Sequence, residues 1–142
     1  MKKAVWVKVI GTQINDLGEA DKIELMTEGK LFMKNNSYYI VYTESEVSGM
    51  EGTTTSVRVE EDKVVLNRMG ASEHKQTFKA GIPDVGSYVT PFGTMMMKVL
   101  PSKVDVNLNS LGGSVDLEYE LVIGEEKVSD NKLSILVEEV NI

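Results

Sequence analysis

Hydrophobic and polar residues alternate with a period of two along most of the chain. The clearest run is Val115, Leu117, Tyr119, Leu121 and Ile123, interleaved with Ser114, Asp116, Glu118 and Glu120. Successive side chains of a strand point to opposite faces, so this run predicts a strand with one face on a core and the other in water. Similar runs predict about ten strands, near residues 3–12, 22–34, 37–47, 52–60, 63–69, 73–79, 92–100, 103–109, 114–123 and 127–140.

Short connections between these runs predict antiparallel neighbours, and the turns then set the register. The turns are expected at 35–36, where two asparagines tolerate positive φ, at 61–62, and in a three-residue loop at 70–72. The predicted cross-strand pairs are Met33 with Tyr38, Leu31 with Ile40, Val59 with Val64, Val57 with Leu66, Thr55 with Arg68, Arg68 with His74, Leu66 with Gln76 and Val64 with Phe78.

A meander of this kind leaves two unpaired edges, and closure into a barrel removes them. We therefore predict an all-β fold, a single antiparallel β-barrel of about 8–10 strands that occupies residues 1–142 as one domain.

Two segments do not fit the alternation simply. Residues 79–91 contain glycines and prolines, and we expect them to form a loop across one end of the barrel. At the C-terminus, the apolar stripe of a helix could consist of Leu133, Leu136, Val137 and Val140. The alternation of Leu133, Ile135 and Val137 is instead that of a strand. The β-branched residues of this segment favour the strand.

Composition narrows the classes of function. The chain has 142 residues, a formal charge of −7 and no cysteine. A negative surface repels phosphate backbones, so we expect no nucleic-acid partner. The apolar stretches are far shorter than the ~20 residues that cross a bilayer, so we expect no membrane partner either. Without cysteines, and without a recognisable signal sequence, a cytoplasmic location is expected.

Several short stretches, in order along almost the whole chain, carry a resemblance to a known family. They are Thr27-Glu28-Gly29-Lys30, Tyr38-Tyr39, Glu44-Ser45-Glu46, Gly49-Met50-Glu51-Gly52-Thr53-Thr54-Thr55, Thr90-Pro91-Phe92-Gly93, Val106-Asn107-Leu108-Asn109, Gly112-Gly113 and Leu117-Glu118-Tyr119-Glu120-Leu121. Together they make the sequence resemble the uncharacterised bacterial YwiB-like proteins. The resemblance implies a calycin-like barrel, related in shape to lipocalins. It implies no activity and supplies no catalytic residue.

The residues also give no sign of catalysis or of a cofactor. With one histidine, His74, and no cysteine, a zinc site or a Ser-His-acid triad would depend on that single imidazole. We find no nucleophile elbow and no phosphate-binding glycine loop. Asp105, Asn107 and Asn109 are interpreted as a solvated strand face, residues 49–52 as a hairpin connection, and Met95-Met96-Met97 as packing filler rather than a pocket lining. We predict a protein that is not an enzyme and uses no cofactor or metal.

Stacking the predicted registers places a polar layer at one end of an otherwise apolar interior. The apolar end holds Leu31, Ile40, Val59, Val64 and Phe78; the polar layer consists of Thr27, Tyr42, Glu44, Thr55, Arg68 and His74. Tyr42, Glu44, Arg68, His74 and nearby Tyr119 are the candidate ligand-binding residues. A buried Glu44 or Arg68 would be costly unless paired. The alternative is a solvated barrel rim, or a register wrong by one residue.

Three hypotheses of function follow. The first is a non-catalytic barrel that binds a small apolar or amphipathic molecule, with the polar layer holding its head group. The second is an interaction or accessory module whose barrel is filled by side chains and holds no ligand. An enzyme is the third. About eight strands can enclose either a packed core or one small ligand, so interior volume separates the first two.

Overall fold

The fold is a closed antiparallel barrel, seen in a computed structural model that describes residues 2–48 and 50–140. Within those residues the chain forms ten strands: β1 Lys3–Asn15, β2 Ala20–Lys34, β3 Ser37–Thr43, β4 Thr53–Val59, β5 Val64–Gly70, β6 Glu73–Phe78, β7 Asp84–Thr90, β8 Gly93–Asn109, β9 Gly112–Ile123 and β10 Glu126–Glu139. Each strand pairs with the next, and β10 pairs with β1 to close the sheet. The predicted all-β barrel is confirmed.

Turn chemistry fixes the register as predicted. Asn35 and Asn36 have φ values of 52° and 65°, which suits a two-residue hairpin turn. The ladder then pairs Met33 with Tyr38 and Leu31 with Ile40. All predicted pairs across the turns at 61–62 and 70–72 are also present. Because register is set locally by each turn, these hairpins follow from the sequence alone.

Apolar side chains fill the interior. The fully buried set includes Ile40, Leu117, Ile135, Val5, Val7, Val57, Val64, Val99, Val115 and Val137. Partly buried residues such as Val104, Val106 and Leu133 pack against this core. The apolar end predicted from Leu31, Ile40, Val59, Val64 and Phe78 is buried throughout, and is therefore confirmed.

The prediction for residues 79–91 was wrong. Asp84–Thr90 forms strand β7, which pairs with β8 from Asp84↔Val99 to Thr90↔Gly93. The two strands predicted at 92–100 and 103–109 are one strand, β8, with a register shift between Pro101 and Lys103. That bulge accommodates the proline, which has no N–H to donate to the ladder.

Strand β3 and the methionines require smaller corrections, whereas the strand predicted at the C-terminus is confirmed. Strand β3 ends at Thr43, and a short 3₁₀ turn covers Glu46–Ser48. The C-terminal segment is strand β10, as favoured over a helix. Met95 and Met96 are 45% and 53% exposed, so packing filler describes only Met97 of the three. Gly49 of the predicted 49–52 connection lies outside the described residues.

Candidate functional site

The predicted polar layer is present inside the barrel. Tyr42, Glu44 and His74 are buried, and the Arg68 side chain is 17% exposed. Tyr119 is half-buried, and its ring packs on Phe78 with centroids 4.9 Å apart. The structure thus brings the five candidate residues to the interior face.

Cross-strand pairing explains why these side chains share one level. Tyr42 lies opposite Thr55, Thr55 opposite Arg68, and Arg68 opposite His74 on successive strands β3 to β6. The next pair, His74 with Tyr88, continues the layer onto β7, with the two rings 5.3 Å apart. Glu44 follows β3 directly, and its N–H still donates to the Thr53 carbonyl at 2.8 Å.

A carboxylate and a guanidinium lie together in this layer. Glu44 is nearly fully buried and accepts a hydrogen bond from the Thr55 hydroxyl through Oε2. The same oxygen lies 3.8 Å from Arg68 Nε. The buried Glu44 charge is therefore balanced by an opposite charge, as burial requires.

His74 is held in one tautomer by its neighbours. Arg68 Nη1 lies 3.4 Å from His74 Nδ1, and a guanidinium can only donate, so Nδ1 is the acceptor. His74 Nε2 therefore carries the proton and donates to Gln76 Oε1 at 2.6 Å. Burial is the main cause that lowers the pKa of His74, and the Arg68 charge adds to it. The imidazole is thus kept neutral.

Side chains replace part of the backbone ladder between β6 and β7. Backbone pairing there is confined to Glu73↔Val89 and His74↔Tyr88. Further along, the fully buried Gln76 donates from Nε2 to the Asp84 carbonyl at 2.9 Å and to its carboxylate at 2.8 Å. The same carboxylate accepts the N–H of Thr77 at 2.8 Å. The seam between these strands is therefore closed by one amide and one carboxylate.

Gly86 lets β7 approach β6 at this seam. A Cβ at position 86 would lie 2.4 Å from the carbonyl oxygen of Lys75 and 3.0 Å from Gln76 Oε1. Real side chains do not tolerate such contacts, so a residue without a Cβ is required for the close approach.

A groove of about 640 Å³ runs along the outside of the barrel over β5, β6 and β7. We call it the wall groove. Outward-facing residues line it, among them Met69, Lys75, Val85 and Val89, but so do Arg68 and His74 of the polar layer. Residues of both sets therefore border the wall groove.

The two tyrosines remain protonated. Burial raises the pKa of Tyr42, and the neighbouring Glu44 carboxylate raises it further. Burial also raises the pKa of Tyr119, against a smaller opposing effect of the Arg68 charge. Both hydroxyls are therefore hydrogen-bonding groups rather than anions near neutral pH.

Sequence reasoning missed three members of this site: Gln76, Asp84 and Tyr88. Gln76 had a usable signal, because the predicted pair Leu66–Gln76 already placed it on the interior face. Asp84 and Tyr88 had none, since they lie on β7, which was predicted to be a loop. A register shifted by one residue would have turned Arg58 and Glu28 inward. Both lie on the outside instead: Arg58 pairs with Glu60, and Glu28 is exposed.

Residues 2–48 and 50–140 contain neither a metal-binding cluster nor a membrane-spanning helix. In that part of the chain, no group of three or more His, Cys, Asp or Glu side chains is placed to hold a metal ion. In the same part, no helix has the length and apolar character needed to cross a membrane.

This chain is similar to a family of uncharacterised proteins and to one β-barrel protein of known structure. The family described as Domain of unknown function (DUF1934) matches residues 7–135. The uncharacterized beta-barrel protein YwiB of Bacillus subtilis (strain 168) is 28% identical over 125 residues, which cover 88% of this chain and 87% of YwiB. The crystal structure of the YwiB protein from Bacillus subtilis superposes with a TM-score of 0.89 at 24% identity, covering 99% of this chain and 94% of the other. This last likeness concerns the fold.

Proposed function

This chain belongs to the family described as Domain of unknown function (DUF1934), and we propose that it is a non-catalytic binding protein for a small amphipathic molecule taken up in the wall groove. One observation carries the proposal. The groove combines apolar side chains, Met69, Val85 and Val89, with Arg68 and His74 of the polar layer. Ligand sites typically pair an apolar lining with a few placed polar groups.

In this proposal the ligand lies outside the barrel, because side chains fill the interior. Side chains such as Ile40, Leu117 and Ile135 occupy the interior and are fully buried. The ligand body is therefore assigned to the groove, and only its head group approaches the polar layer. Tyr42 and Tyr119 support Arg68 from the interior side in this scheme, rather than touching the ligand body.

The broader expectations belong to the same proposal. We propose a lipocalin-like, calycin type of barrel, a cytoplasmic location and no role for nucleic acid. The formal charge of −7 supports the last of these, because it opposes binding to a phosphate backbone. The proposed function includes no catalytic step. His74 is the one imidazole of the chain, and both its ring nitrogens are engaged by Arg68 and Gln76.

A dye titration with matched variants tests the groove. Nile red, a neutral dye whose emission rises in apolar surroundings, is titrated into the protein. Met69→Lys introduces a charge into the groove, whereas Met26→Lys makes the same change at an exposed site on β2. We expect saturable binding to the unmodified chain and to Met26→Lys, and binding weakened about tenfold or more in Met69→Lys. Absence of saturable binding, or equal weakening in both variants, would contradict the proposal.

The filled interior and the apolar hairpin tips favour a second candidate, an interaction module without a ligand. Phe92 is 99% exposed at the β7–β8 turn, and Leu17 is 83% exposed at the β1–β2 turn. In a closed antiparallel meander these turns lie at the same end of the barrel. Exposed apolar patches often mark partner surfaces. The dye separates the two ideas: Phe92→Ser leaves dye binding unchanged if the groove is the site, and abolishes it if the tips are.

A further inference from the structure

Arg68 carries more hydrogen-bond donors than its protein surroundings use. A guanidinium has five N–H groups. Its Nη1 donates to His74 Nδ1 at 3.4 Å, the long end of the range for a hydrogen bond. Its Nε is 3.8 Å from Glu44 Oε2, beyond that range, and within the described part of the chain Nε is buried with no hydrogen-bond partner. The N–H group at Arg68 Nε is therefore a buried donor without an acceptor.

The acceptors around Arg68 already have other partners. Glu44 Oε2 receives the Thr55 hydroxyl, and the Asp84 carboxylate receives Gln76 Nε2 and the Thr77 N–H. His74 Nε2 is a donor and is turned to Gln76. An acceptor-rich head group therefore complements Arg68 best, because the neighbouring protein acceptors are already engaged.

The charges of the groove limit how negative that head group can be. Its charged lining residues are Arg68, Lys75, Glu73 and Asp84, which are balanced in sign, and Glu44 adds a buried negative charge behind Arg68. A general electrostatic attraction for anions is therefore absent, and selection must come from directed hydrogen bonds. A singly charged, planar carboxylate matches the fork of a guanidinium and adds the least repulsion.

We infer that the ligand of the wall groove is a monoanionic carboxylate with an apolar body, held through its carboxylate by the guanidinium of Arg68. The inference rests on the proposed binding function. The apolar body lies along Met69, Val85 and Val89, and the carboxylate contacts Arg68, which lines the same groove. A doubly charged phosphate ester is disfavoured by Glu44 and Asp84, and an ammonium head by Arg68 itself.

Head groups on one common tail provide the test. Octanoate, octan-1-ol, octylammonium and octyl phosphate are titrated calorimetrically at pH 7.5 into the unmodified chain. We expect octanoate to bind about tenfold or more tightly than octanol, and octylammonium and octyl phosphate to bind more weakly than octanoate. Arg68→Gln should remove the preference for octanoate and leave octanol binding unchanged. Lys75→Gln, which removes an exposed cation from the same groove, should keep the preference.

Folding of each variant is checked by circular dichroism. If Arg68→Gln does not fold, Arg68→Lys is tested instead. Lysine keeps the positive charge but cannot donate two parallel hydrogen bonds to a carboxylate. We therefore expect Arg68→Lys to lower the affinity for octanoate and not that for octanol. Equal binding of octanoate and octanol, or a preference for octylammonium or octyl phosphate, would overturn the carboxylate assignment while the binding function stands. Binding of none of the four would remove the binding function as well.

Discussion

Arg68 Nε and Glu44 Oε2 lie 3.8 Å apart, with the Glu44 side chain 3% exposed and the Arg68 side chain 17% exposed. The pair is thus an interior ion pair without a direct hydrogen bond through these atoms. Removing one partner leaves the other charge buried. We expect Arg68→Ala to lower the free energy of unfolding by ~3–5 kcal/mol, measured by urea denaturation.

The barrel contains a matched pair on its outer face. Arg58 Nε lies 3.4 Å from Glu60 Oε2, and both side chains are about a third exposed. Arg58→Ala should cost under ~1 kcal/mol, because solvent screens the charges. The double variant Glu44→Gln with Arg68→Met should recover much of the loss seen in Arg68→Ala, since neither charge then remains unpaired. Equal effects of Arg68→Ala and Arg58→Ala would mean that Arg68 behaves as a rim residue.

The pKa of His74 makes stability depend on pH in a defined direction. Burial lowers the pKa of His74 in the folded chain below its ordinary value of 6.5. Below pH 6.5 the unfolded chain therefore binds a proton that the folded chain does not, and the free energy of unfolding falls as the pH is lowered, until the folded pKa is passed. Well above pH 6.5 both states are neutral at this site, and its contribution is constant.

Two measurements check this dependence. Since His74 is the single histidine of the chain, its imidazole proton resonances give the folded pKa directly by NMR titration. We expect a midpoint below 6.5. His74→Gln should also flatten the change in unfolding free energy between pH 7 and about pH 5.5, above the ordinary range of carboxylates. A midpoint above 6.5, or an unchanged pH profile in His74→Gln, would show that the imidazole is not held neutral.

Gly29 is opposite Tyr42 on the β2–β3 ladder and leaves no room for a side chain. A Cβ there would lie 2.6 Å from the Val41 carbonyl oxygen and 2.8 Å from Val7 Cγ2. We expect Gly29→Ala to destabilise the fold by about 1–3 kcal/mol, as overpacking does, and to change the near-ultraviolet circular dichroism of the displaced Tyr42.

Gly11 on β1 is the matched control for Gly29. A Cβ at position 11 meets only Leu133 Cδ1, at an ordinary 3.9 Å. Gly11→Ala should be neutral or slightly stabilising, because alanine restricts the unfolded chain without a clash. If both substitutions cost the same, the close approach at Gly29 is not the cause.

Local rules were sufficient for most of the barrel. Turns at 35–36, 61–62 and 70–72 set the pairing of β2 with β3 and of β4 through β6, because a short turn allows one register and a slip by one residue would expose the apolar face. That register alone placed Tyr42, Glu44, Arg68 and His74 on the interior face. It also placed Gln76 there, opposite Leu66, but did not identify its partner Asp84.

The region from β6 to β8 depended on contacts that no local pattern encodes. Glycines and prolines in 79–91 predicted a loop, yet Asp84–Thr90 pairs with β8 and extends the sheet. Its link to β6 combines two backbone pairs with a bridge between the Gln76 amide and the Asp84 carboxylate, residues eight positions apart. Pro101 interrupts the alternation of β8, but a bulge absorbs it because the rest of the strand is held by β9.

The sequence by itself determined an antiparallel barrel with an apolar interior and a polar layer at one end, since side-chain alternation and turn geometry are local properties. Only the tertiary structure decided that Gln76 and Asp84 bridge β6 and β7, that apolar side chains fill the core, and that Arg68 Nε lies beside Glu44 without a hydrogen bond. Those features arise where distant strands meet. Burial, closure and hydrogen-bond satisfaction there depend on the whole sheet and not on any one segment.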